Sequence, residues 1–334
     1  MKKTQVALAA LALAASSAAL ADGVTLYGTL EAGLTNGNHG SSTRFSGAGE
    51  WGTTLWGIKG EEDLGGGLKT AFHLQGGLET NTGSINNPGS LGTNTLFNRL
   101  AYVTVGGQMG TVGLGLQFSP FIGTYVSTLA LAGNNFLVPV CANASACDGG
   151  GINQGSTGGF FIPNSVTYAG SFGPVSANVL YATKNGDDTS QVTIGNLSYA
   201  ADNLYVSGAI SRRKDSYSNW IVGATYTMGG IKLAANYIDH SDKSGSGVDS
   251  KTYTVGASYG LTDATKVGVN YSKTKTTDSN IDPSLFNISL QHNLSKRTAL
   301  YAFFNKGSDG SMVSYQGTTG SATRGIGAGI SHSF

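Results

Sequence analysis

Lys69-Thr70-Ala71-Phe72-His73-Leu74-Gln75-Gly76-Gly77-Leu78-Glu79 decides the fold class. In an extended chain successive side chains point to opposite sides. Phe72, Leu74 and Leu78 therefore share one face, and Lys69, His73, Gln75 and Glu79 share the other. Such a strand suits a sheet with an apolar medium on one side and water on the other. The same period runs through Val24–Leu34 and recurs near Trp51–Asp63, Leu96–Gly106, Thr111–Phe118, Asn164–Phe172, Val175–Thr183, Gln191–Ala200, Leu204–Arg213, Ser218–Met228, Ile231–His240, Lys251–Gly260, Lys266–Lys275, Leu285–Leu294, Thr298–Lys306 and Arg324–Phe334. That makes about sixteen strands, an even number as in bacterial single-chain barrels.

The connections alternate in length. Asp63–Gly67, Gly106–Gly110, Phe172–Pro174, Ala200–Asn203, Met228–Gly230, Leu261–Thr265 and Leu294–Arg297 are tight, whereas Asn36–Glu50, Thr80–Thr95 and Ser241–Ser250 are longer and polar. Short turns at one end and longer loops at the other are the arrangement of a transmembrane β-barrel, and a soluble sandwich or propeller has no reason to adopt it. The fold class read here is all-β: an antiparallel up-and-down barrel.

Composition excludes several other classes. Among 334 residues there are 51 Gly, 15 Tyr and 13 Phe, with only 12% charged residues, so long helices and disorder are both disfavoured. Mean hydropathy is −0.05, and no run after Ala21 is long and apolar enough for a helical span. The first residues follow the secretory pattern: Met1, Lys2 and Lys3, an apolar stretch from Val6 to Leu20, and Ala19-Leu20-Ala21 ahead of Asp22. Residues 1–21 are read as a signal peptide and 22–334 as the barrel. Without Lys2 and Lys3 the chain carries 18 basic and 19 acidic residues, a balance that suggests no nucleic-acid partner.

Several stretches together resemble the Gram-negative general diffusion porins of the Neisseria and Burkholderia type. They are Val24-Thr25-Leu26-Tyr27-Gly28, Trp56-Gly57-Ile58-Lys59-Gly60-Glu61-Glu62-Asp63-Leu64-Gly65, Asn98-Arg99-Leu100-Ala101-Tyr102-Val103, Gly110-Thr111-Val112-Gly113-Leu114-Gly115, Asn164-Ser165-Val166-Thr167-Tyr168 and Ser331-His332-Ser333-Phe334. The terminal strand, with Ile326, Ala328, Ile330, His332 and Phe334 on one face, also resembles the signal by which such barrels are recognised for assembly. The resemblance implies a sixteen-stranded trimer in the outer membrane, each subunit a water-filled passive pore for ions and small hydrophilic solutes, narrowed by an inward-folded third loop. It implies no cofactor. The match departs at Gly115-Leu116-Gln117 and Ser119-Pro120-Phe121-Ile122-Gly123, where a basic and an acidic residue of the family pattern are missing.

The candidate third loop, Pro120 to Pro163, is too long for an ordinary connection and carries Leu129, Leu131, Phe136, Leu137, Val138 and Val140. Either it packs against the barrel interior or it stands exposed outside. Cys141 and Cys147, the only cysteines, suggest a local disulfide formed in an oxidising compartment, which contributes roughly 2 kcal/mol by restricting the unfolded chain. A zinc site is less natural because no His accompanies them.

Strand parity puts Glu31 on the aqueous face with Tyr27 and Thr29, pairs Lys59 with Glu61, groups Lys69 with His73 and Glu79, and sets Arg99 opposite Leu100 and Tyr102. Lys59, Lys69 and Arg99 then form a basic ladder facing a loop whose only acid is Asp148, which suggests a weak anion preference. The alternative is that these charges sit at different heights or at the rims, where water screens them. A substrate-selective channel is the second transport reading. A barrel enzyme or adhesin is a third, but the five His residues lie far apart and no G-x-S-x-G nucleophile motif accompanies them.

Overall fold

A computed structural model describes residues 23–37, 43–47, 51–85, 95–131, 160–183, 191–245, 249–277, 282–308 and 324–334. The alternating runs form β1 (Thr25–Gly37), β2 (Arg44–Ser46), β3 (Leu55–Gly65), β4 (Leu68–Gly77), β5 (Leu100–Gly107), β6 (Gly110–Phe118), β7 (Phe161–Phe172), β8 (Val175–Ala182), β9 (Val192–Ala201), β10 (Leu204–Arg213), β11 (Tyr217–Met228), β12 (Ile231–Asp242), β13 (Ser250–Gly260), β14 (Thr265–Thr276), β15 (Ser284–Asn293), β16 (Thr298–Ser308) and β17 (Arg324–Ser333). All pairing is antiparallel, and β1 pairs with β17 from Thr29↔Ser333 to Gly37↔Gly325, which closes the sheet. Closure satisfies every ladder without leaving an edge, the condition an apolar bilayer imposes on a spanning sheet.

β2 and β3 share one flank of β1: β2 pairs with Gly33–Thr35, and β3 pairs with Thr25–Thr29. The seventeen segments of the sheet therefore make sixteen staves, the number the alternation predicts. Two of the tight turns, at residues 66–67 and 229–230, are Gly-Gly pairs with positive φ at both positions, the backbone a two-residue hairpin requires. The alternation of connection lengths has one exception, because β10 and β11 are joined at the loop end by residues 214–216 alone.

Outward faces carry the large apolar side chains, such as Leu26, Leu30 and Leu34 of β1 and Val103 and Val105 of β5, all exposed. Inward faces carry polar cross-strand pairs: Thr252–Thr274 and Thr254–Ser272, each 2.9 Å apart, and Asn287–Asn305 at 2.6 Å. These side chains are buried, so the hydrogen bonds satisfy polar groups that have little access to water.

One stretch of inner wall is apolar instead. Leu180 of β8, Ile194 of β9, Ile221 of β11 and Ile238 of β12 are buried beneath Phe121, Ile122 and Tyr125 of α1 (Pro120–Ser127) and Leu129 beyond it. Each side chain fully covered in this way contributes about 1.5–3 kcal/mol. Asn196 Nδ2 donates to Thr124 Oγ1 at 2.6 Å, Asn236 Nδ2 to the Thr128 carbonyl at 3.3 Å, and Ser258 Oγ to the Ala130 carbonyl at 2.9 Å. Inward glycines leave the chain room: a Cβ on Gly223 would lie 2.7 Å from Thr128 Cβ, and one on Gly268 would lie 2.7 Å from Leu131 Cβ. The segment from Pro120 to Leu131 thus runs along the inside of β8 to β14. The connection ends sooner than its composition suggests, because β7 already opens at Phe161.

Candidate functional site

The lumen has two unlike walls. On the first, β1, β3, β4 and β5 turn Tyr27, Lys59, His73, Gln75 and Tyr102 inward. The Tyr27 hydroxyl meets His73 Nε2, and His73 Nδ1 lies 3.1 Å from the Tyr102 hydroxyl. Gln75 Nε2 donates to the Tyr27 hydroxyl at 2.8 Å, while its Oε1 accepts from Arg99 Nε at 2.9 Å. Lys59 Nζ stands 5.4 Å from the centre of the Tyr27 ring and remains exposed to the lumen. A continuous string of hydrogen bonds thus holds the Arg99 guanidinium, and the Lys59 ammonium stands over the Tyr27 ring of the same string.

Arg99 corrects the parity argument. It shares the inner side with Tyr102 rather than opposing it, since both belong to the same string. β5 begins only at Leu100, so Arg99 lies before the strand and is not bound by its alternation. Its guanidinium carbon sits 4.5 Å from the centre of the Phe161 ring, a cation–π placement. A guanidinium stays charged across the physiological range.

Of the three inward acids of this wall, Asp63 lies at the turn end, its Oδ1 accepting from Gly65 N at 2.8 Å, and the other two are engaged deeper in the wall. Glu31 faces inward but is sealed at 1% exposure; its Oε1 accepts from Trp51 N and the Tyr301 hydroxyl, and its Oε2 from Gly52 N, each at 2.8 Å. It anchors the connection before β3 and offers no charge to the lumen. Glu61 pairs with Lys69 at 2.5 Å, with both side chains more than half exposed. Lys59 and Arg99 form no ion pair among the described residues.

The second wall is the one that carries α1. In the strand order β4 and β12 lie half a circumference apart, so the lysine and arginine face the segment from Pro120 to Leu131, which holds no charged residue. Lys232 and Lys266 point inward at the turn end, on the faces of Asn236 and Asn270, and Arg213 points inward near the loop end with Ser211. Sequence reasoning passed over these three, although parity within β10, β12 and β14 carries the signal. Asp148, Cys141 and Cys147 lie outside the described residues.

The family model described as Gram-negative porin matches residues 7–311. The outer membrane porin protein 32 of Delftia acidovorans is 29% identical over 364 residues, covering 100% of both chains. The major outer membrane protein P.IB of Neisseria gonorrhoeae is 34% identical over 145 residues, covering 41% of this chain and 38% of its own. Among solved structures, an anion-selective porin from Comamonas acidovorans superposes with a TM-score of 0.77 at 23% identity, over 93% of this chain and 99% of that one. A trimer form of OmpT from Vibrio cholerae gives a TM-score of 0.70 at 13% identity, over 93% and 99%. The last two likenesses concern the fold. The family match spans most of the chain and agrees with a closed barrel whose inside is polar, so the chain belongs to the Gram-negative porins, passive channels of the outer membrane and not enzymes.

Proposed function

We propose that this porin passes small anions in preference to cations. The observation that carries the reading is the imbalance at the first wall: Glu31 and Glu61 are taken up by their own partners, while Lys59 and Arg99 face the uncharged segment from Pro120 to Leu131. Charges confined between low-dielectric walls act on ions more strongly than the same charges in open water. Lys232 and Lys266 extend the positive lining toward the turn-end mouth. The likeness to a porin described as anion-selective supports the same sign. The protein works as a trimer, as one of its structural neighbours does, after removal of residues 1–21.

The test is the reversal potential of the purified protein in a planar bilayer under a KCl gradient. Chloride preference is the expected sign. A reversal potential of cation sign refutes the proposal, and gel mobility of unheated against boiled samples checks the trimer.

A further inference from the structure

The outward face of the barrel bears a second basic cluster that conduction does not use. At the loop ends of β13 and β14, Lys251, Lys273 and Lys275 alternate with the inward Thr252, Ser272 and Thr274 and so point away from the lumen. Lys251 is paired directly with Lys275, and Lys273 with Tyr253. Like charges directly opposed across strands destabilise a sheet unless an anion lies between them. The neighbouring strand supplies one acid, Asp239, opposite Lys251, and its Oδ2 already accepts from the Tyr237 hydroxyl at 3.2 Å. None of the three lysines forms an ion pair among the described residues.

Their height on the barrel is marked by their neighbours. Just toward the turn end, on the same outward faces, lie Tyr253, Tyr271 and Val255, all exposed. Tyr237 packs 4.9 Å from both Trp220 and Tyr253, centre to centre. Aromatic belts of this kind settle at the boundary between hydrocarbon and headgroups. Lys251 and Lys275 stand just beyond that belt and Lys273 stands level with Tyr253 at its edge, on the side of the longer loops, which is the extracellular side.

We propose that Lys251, Lys273 and Lys275 form a binding site for the phosphate of a phosphorylated glycolipid in the outer leaflet, with the aromatic belt beneath them receiving its acyl chains. The opposed lysines supply the charge, the rings supply the apolar floor, and the bound phosphate relieves the repulsion between Lys251 and Lys275. Lys306 and Arg324, likewise outward and directly paired, continue the positive rim beyond β15.

Native mass spectrometry of the full-length barrel, mixed in detergent with bis-phosphorylated lipid A or with the same glycolipid stripped of phosphate, tests the site. The parent is expected to retain the phosphorylated form in preference. The variant K251Q/K273Q/K275Q is expected to lose that preference by about a hundredfold, at roughly fivefold per lysine near a charged leaflet. The variant K251R/K273R/K275R keeps it, and unchanged single-channel conductance shows that both variants are folded. Equal retention by the Gln variant overturns the proposal, as does equal binding of the stripped glycolipid. Displacement by inorganic phosphate would mean a free-ion site, and crosslinking of two copies of the variant Tyr253→Cys would mean a subunit contact; either outcome also overturns it.

Discussion

Between β1 and β5 the lumen is faced by charged and aromatic groups, some of which end in water, whereas between β8 and β14 it is faced by aliphatic chains and glycines that the third loop covers. The first wall is held by hydrogen bonds among Tyr27, His73, Gln75, Arg99 and Tyr102. The second is held by burial of Leu180, Ile194, Ile221 and Ile238 beneath α1. Lys59 and Arg99 thus stand across the lumen from the side chains that hold α1, so a change on either should leave the other standing.

Ile221→Asp attacks that separation hardest. A carboxylate buried beneath α1 without a partner costs on the order of 3–5 kcal/mol, so the temperature at which the folded gel form converts to the unfolded one should fall sharply and the conductance should change. An unaltered conversion temperature would mean that the loop is not held by this wall. Gly223→Ala is milder, because it adds one methyl group where Thr128 already fills the space. The overpacking should cost about 1–3 kcal/mol and alter single-channel conductance, with the sign of selectivity kept.

On the charged wall, Lys59→Gln combined with Arg99→Gln should reduce chloride preference about fivefold, equivalent to roughly 1 kcal/mol, with a fall in conversion temperature smaller than that of Ile221→Asp, because Arg99 gives up one hydrogen bond and its ring contact. A loss of stability equal to that of Ile221→Asp would show that the two walls are not independent. The smallest effect belongs to Glu61→Gln. The Lys69–Glu61 pair is exposed, so stability should not change, and the released Lys69 should raise chloride preference slightly, by an amount that shrinks as salt rises.

The staves were legible because each strand meets two media and must alternate with period two. Helix α1 was not, since Pro-Phe-Ile-Gly-Thr-Tyr-Val-Ser contains Gly123 and the β-branched Ile122, Thr124 and Val126, all poor helix formers. Pro120 at its start is the one local signal for it, and its stability comes from a wall formed by residues distant in sequence. Parity found Lys59 and His73 because both lie within strands, and it failed at Arg99, one position outside. That Glu31 is sealed depends on Trp51 and Tyr301, which the alternation of β1 alone says nothing about.

Gly223, Gly256 and Gly268 carry a consequence for throughput. The segment from Thr128 to Leu131 sits where three side chains are missing, so it is recessed into the sheet instead of lying upon it. Space ceded by the wall is space returned to the water column. For a fixed number of staves, the flux through such a barrel depends partly on the atoms its lining omits, and a lineage could tune permeability one methyl group at a time without altering its circumference.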